Sequence, residues 1–147
     1  MHKLSLSVQY AAGVDNLPTR TRFRRWIKAA LQRDVQIVMR IVDEAEGREL
    51  NLSFRGKDYA TNVLTFVYDD SELLSADVVI CAPVVLREAR EQRKDITAHY
   101  AHLAIHAVLH LQGYDHENDK DAEAMETRET AIMMKLGYAD PYQVVTA

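Results

Sequence analysis

Cysteine is nearly absent: Cys81 is the only one in 147 residues, so no intramolecular disulfide can staple the fold, and its stability must come from packing. Three prolines and five glycines are too few for a linker-rich or low-complexity chain. Long apolar runs are missing as well. Even VLTFV and VVICA are broken by polar residues within a few positions, whereas a membrane span needs about 18 consecutive apolar residues. The opening stretch MHKLSLSVQYAAG has no apolar core of signal-peptide length. These absences point to a cytoplasmic protein with no membrane partner.

What is present is ordinary globular material, 48% apolar and 27% charged, in a length expected for one domain spanning residues 1–147. The net charge of −4 argues against a polyanion partner until its distribution is considered. Six bases and no acid lie between Arg20 and Arg33, while seven acids and two bases lie between Asp115 and Glu129. Binding to a nucleic acid backbone is therefore permitted through the first segment and opposed by the second.

Hydrophobic periodicity places the elements. Leu4, Leu6, Val8 and Tyr10 alternate with polar residues and predict a half-buried strand. Thr19 can cap a helix whose apolar stripe is Phe23, Trp26, Ile27, Ala30 and Leu31, leaving the bases mainly on its open face. The β-branched run Val35 to Val42 predicts a more buried strand. Glu49 to Phe54 reads as a short helix or turn. Val63 to Tyr68 and Asp77 to Cys81 read as two further strands, separated by the acidic turn DDSELLSA. Helices are expected from Pro83 to about Arg93, from an Asp95 or Thr97 cap to about Leu111, and from about Asp121 to Leu136. The order is mixed rather than repeating, which predicts an α+β domain with one small, mostly four-stranded mixed sheet packed against several helices.

Five of the six histidines, His99, His102, His106, His110 and His116, fall within one short stretch. On a helix His106 and His110 are about 40° and about 6 Å apart, close enough to share an ion. His102 continues that stripe but stands about 12 Å from His110 along the axis, too far for all three to bind one metal. His116 is the more natural third ligand, because Gly113 allows a left-handed turn that brings the chain back beside the helix end. Three imidazoles with no obvious fourth protein ligand leave room for water, the arrangement of a catalytic zinc site at the C-terminal end of a central helix. One Zn2+ per chain is expected, with Asp115 orienting a ligand imidazole and His99 and His102 in structural or supporting roles. Ala107 occupies the position where an HExxH peptidase carries its general base, so peptide hydrolysis by that mechanism is excluded. Cys81 ends a buried-looking strand and reads as packing, with approach to the metal left open.

The string HAVLHLQGYDH, His106 to His116, closely resembles the HGxLHLxGYDH signature of the YbeY family of bacterial rRNA maturation factors, which are metal-dependent endoribonucleases. The resemblance extends, in the same order, to ELNLSFRGKDYATNVLTF (Glu49 to Phe66) and DVVICAP (Asp77 to Pro83). It departs at Ala107, where the pattern usually has Gly, and at Ala60 and Val67, where Pro is common. The resemblance implies that His106, His110 and His116 are zinc ligands and that Arg55 corresponds to a basic residue needed for RNA-directed activity. On its own, Arg55 reads as a solvated arginine in a loop between a helix and a strand. With the resemblance it becomes a catalytic and RNA-binding candidate beside His106, since a guanidinium can grip two phosphate oxygens and offset developing charge.

The implied function is cleavage of single-stranded RNA in 16S rRNA 3′-end maturation and ribosome quality control. The implied partners are the ribosome or a small-subunit ribosomal protein, and a ribosome-assembly GTPase. Arg22 and Arg25 on the basic helix are candidates for RNA contact, and a solvated face is an equal alternative. The rival to catalysis is a metal-stabilised assembly factor that only binds rRNA or a ribosomal protein.

Overall fold

The computed structural model describes residues 2–114 and 117–143. Strand β1 (Leu4–Tyr10) leads through α1 (Arg20–Ala30) to β2 (Val35–Val42), and then come α2 (Glu44–Arg55) and the hairpin β3 (Val63–Asp70) and β4 (Leu74–Cys81). Three consecutive helices follow: α3 (Ala82–Glu91), α4 (Ile96–Leu111) and α5 (Asp119–Lys135). The four strands form one sheet in the order β1-β2-β4-β3. The first three run parallel, and β3 is antiparallel to β4. Parallel neighbours need a crossover, which α1 supplies between β1 and β2. The result is an α+β domain with a mixed sheet, as its mixed element order implies.

The two faces of the sheet differ. Val35, Ile37, Met39 and Ile41 of β2, with Leu74, Ala76, Val78 and Ile80 of β4, point into the main core with α1 and α4. In that core Phe23 meets Trp26 edge-on at 5.4 Å and Tyr100 at 6.2 Å. The other face carries the smaller cluster of Val42, Leu64, Val79, Cys81 and Val84, against which Leu50 of α2 packs. Cys81 therefore lies on the α2 side of the sheet, with its thiol 3.5 Å from the Asp43 carbonyl oxygen. A Cβ at Gly47 of α2 would stand 3.0 Å from its Sγ, so that thiol is fitted against bare helix backbone.

Helix α4 is enclosed. From His99 to Leu109 only His106 escapes full burial. A histidine on such a helix must find a polar partner in the interior. The caps expected for α1 and α4 are made, with Thr19 accepting from the Arg22 N–H and Asp95 from the Ala98 N–H. Gly113 has φ +108, the left-handed conformation expected after the helix.

Two expectations are corrected. The segment read as a short helix or turn is the C-terminal half of a twelve-residue helix. Asp43, which bounds β2, also caps α2 by accepting from the Glu46 N–H at 2.9 Å, and Glu44 and Glu46 suit the positive end of the helix dipole. Arg55 is therefore the last residue of α2, fixed on a helix rather than carried on a loop. The acidic turn between β3 and β4 is shorter than expected, because Asp69 and Asp70 extend β3 and Leu74 to Ala76 begin β4. Leu74 and Ala76 are buried, and that alternation draws the segment into the sheet.

Trp26→Ala would leave a void at the junction of α1 and α4. It is expected to cost about 3–5 kcal/mol, measured as a lower urea midpoint with an unchanged m-value.

Candidate metal centre

Within α4, His106 lies where the buried helix meets a cleft, and His110 is exposed one turn further on. The cleft, about 540 Å³, has α4 on one side, contributing His106, Ala107 and His110, and the end of α2 on the other, contributing Phe54 and Arg55. Residues Val63, Leu64, Thr65 and Phe66 of β3 also line it, as does Glu117. The structure thus brings Arg55, His106 and His110 together. Asp115 and His116 lie outside the described residues.

Behind His106 stands a carboxylate that the sequence reading counted only as the last member of the acidic run from Asp115 to Glu129. Glu129 of α5 is 0% exposed. Its Oε1 is 2.5 Å from His106 Nδ1, and its Oε2 is 2.7 Å from His102 Nε2. The Tyr142 hydroxyl donates to the same Oε2. Burial alone would favour the neutral acid, but the hydrogen bonds from His102 and His106, and then that from Tyr142, hold the Glu129 carboxyl down at about 2. A signal was present in the sequence. Glu129 falls on the stripe of Met125, Ile132 and Met133 that α5 buries, so a charged residue occupied a core position. Tyr142 left no comparable mark.

The ligand atoms of His102, His106 and Glu129 lie within 4.8 Å of one another, a group that can hold a metal ion. His99 is engaged elsewhere, with its Nε2 3.0 Å from Glu88. Burial opposes the charge of Glu88, and hydrogen bonds from His99 and Asn62 lower its pKa overall.

The other arginines divide by partner. Arg33, Arg40, Arg48 and Arg87 each form an ion pair with a carboxylate, whereas among the described residues no acid pairs with Arg55. On α1, Arg20 and Arg24 donate to the Val8 and Leu4 carbonyls of β1, and Arg22 and Arg25 are exposed. Helix α1 packs on α4 and β1, and β1 is the sheet edge opposite β3. The structure does not bring Arg22 and Arg25 to the cleft.

Fold and donor set together define an α+β protein with a candidate metal-binding group on α4 and α5. Its lineage is specific: the family model described as Endoribonuclease YbeY matches residues 9–137. A curated relative of that name from Nitrosomonas europaea is 58% identical over 142 residues, covering 97% of this chain and 87% of the relative. Another, from Nitrosospira multiformis, is 54% identical over 155 residues, covering 95% and 82% respectively. The solution structure of a target protein from Thermotoga maritima is similar, with a TM-score of 0.60 and 27% identity, covering 97% of this chain and 99% of that one. The chain belongs to the YbeY endoribonuclease family.

The depressed pKa of Glu129 has a sign. Its contribution to stability is present above the ordinary value of 4.5 and is lost as pH falls toward about 2. In chelator-treated protein, denaturant midpoints should drop across that window. Glu129→Gln should be less stable than wild type at pH 7 and flatter below pH 4.5.

Proposed function

We propose that the chain is a zinc-dependent, single-strand-specific endoribonuclease acting in 16S rRNA 3′-end maturation and ribosome quality control. Family membership supports the enzyme class and the use of RNA as substrate. The observation that carries the reading is the convergence of Arg55 with His106 and His110 on one cleft, although they come from distant parts of the chain.

The donor set fits an ion. Imidazoles one helical turn apart on α4 share that cleft, and with the Nδ1 of His106 bonded to Glu129, a metal would be taken through Nε2. His106, His110 and His116 would hold one zinc ion per chain, and Asp115 would orient one of those rings. When bound, the ion supplies a Lewis acid and acidifies water.

The protein's own groups do the rest. Arg55 carries a permanent charge at the end of α2, and its planar fork suits two phosphate oxygens and the charge that develops on them. Phe54, 64% exposed and 4.8 Å from Phe66 between ring centroids, offers an unstacked base a surface, which favours single strands over duplex. Arg22 and Arg25 would contact RNA only as a remote, salt-sensitive patch. A small-subunit ribosomal protein and a ribosome-assembly GTPase as partners, and the cytoplasm as compartment, follow from the family resemblance.

His110→Ala tests the site. It should keep the fold by circular dichroism, lose tightly bound zinc and lose cleavage of single-stranded RNA; undiminished cleavage by a zinc-free variant would overturn the reading. Arg55→Ala should lower cleavage on the order of 10²–10³-fold with zinc content unchanged, and Arg55→Lys should recover only part of that loss. Arg22→Ala combined with Arg25→Ala should reduce the salt dependence of RNA binding by about two units of slope at most and leave the cleavage step intact.

A further inference from the structure

We infer that Glu129 is a positioning residue and not a metal ligand: together with Tyr142 it fixes the tautomer of His106 and aims its Nε2 at the cleft, making the stretch from Asp140 to Tyr142 part of the metal centre. This rests on the reading of His106 and His110 as ligands.

The distances decide between the two roles. Two donors on a tetrahedral zinc ion, each at about 2.1 Å, stand roughly 3.4 Å apart. The contacts of Glu129 with His106 Nδ1 and His102 Nε2 are 2.5 and 2.7 Å, the lengths of charge-assisted hydrogen bonds with a proton in each. An ionised carboxylate only accepts, so His106 carries a proton on Nδ1, and in the neutral ring that leaves the lone pair on Nε2, on the opposite side of the ring. That ring lines the cleft with His110.

The remaining contacts hold the carboxylate still. His102 donates to it and meets the Tyr142 ring edge-on at 5.2 Å. Among the described residues the buried Nδ1 of His102 has no hydrogen-bond partner, tolerable for a bare lone pair and costly for an N–H, which favours the Nε2–H tautomer. Tyr142 supplies the third donor from a segment secured independently of the site. Lys94 Nζ donates to the Pro141 carbonyl at 2.6 Å, and the Tyr142 N–H donates to Asp140 at 2.9 Å. A fully buried charge in the stripe of α5 carries a desolvation cost that an apolar residue would not. Orientation of a ligand imidazole is the return that a core contact alone would not give.

The experiment measures zinc affinity by competition with a chromophoric chelator, together with the visible spectrum of the Co2+-loaded protein, for wild type, Glu129→Gln, Tyr142→Phe and His110→Ala. Glu129→Gln should bind zinc about 10–100-fold more weakly, and Tyr142→Phe several-fold more weakly. Both should show the wild-type Co2+ spectrum at saturation, because the ligand set is unchanged. In zinc-free protein, nitrogen-15 spectra should show His106 as the Nδ1–H tautomer, shifting toward Nε2–H in Glu129→Gln. Unchanged zinc affinity in the variants, or an altered Co2+ spectrum in Glu129→Gln, would overturn the inference. If Glu129→Gln does not fold, Tyr142→Phe decides alone: wild-type affinity there overturns the coupling. Full zinc affinity in His110→Ala would instead sink the underlying ligand assignment, whatever Glu129 does.

Discussion

A carboxylate buried to zero exposure stays ionised only where donors surround it, and Glu129 is surrounded by His102, His106 and Tyr142. Much of the centre can be understood from that requirement. It ties α5 to α4, and it brings the Asp140 to Tyr142 stretch back over the helix pair. It leaves His106 with a defined face toward the cleft. Helix α4 makes this possible by being enclosed by other elements, since an exposed histidine would have found water instead of a carboxylate.

The cleft itself has a different origin. It lies at the β3 edge of the sheet, between the last turn of α2 and the outer half of α4. Arg55 is held there by a helix end, and Gly56, with φ +70, closes that helix in the left-handed conformation a glycine readily adopts. A guanidinium on a helix terminus has fewer positions to sample than one on a loop. Among the described residues no acid pairs with Arg55, and Asp58, three residues further along the chain, pairs with Arg48 instead.

Much of this was legible in the residues. Alternation in β1, the apolar stripe and Thr19 cap of α1, the β-branched run of β2 and the i, i+4 histidines of α4 each carry one dominant pattern, and each element formed there. Helix α2 was only half visible, because Gly47 interrupts its helical preference and its buried face reduces to Gly47 and Asn51, an uninformative pair. Glu129 was obscured by its neighbours: within a run of acids a single buried one looks like the rest, and only its register with Met125 and Ile132 sets it apart. The pairing of Arg20 and Arg24 with β1 carbonyls was hidden for a related reason, since a basic helix face shows its charge in the sequence but not its acceptors.

Those two arginines matter in another respect. An open sheet has two outer strands, each a template on which a foreign strand can dock and begin aggregation. On β1 the guanidiniums of Arg20 and Arg24 already occupy two main-chain oxygens. On β3 the register slips between Val67 and Asp69, and the acids Asp69 and Asp70 follow, so an incoming strand would meet a kink and like-signed charge after a few residues. Both borders of the sheet are thereby blunted, and the protein can keep a cleft open along one of them without inviting its own copies to zip into it.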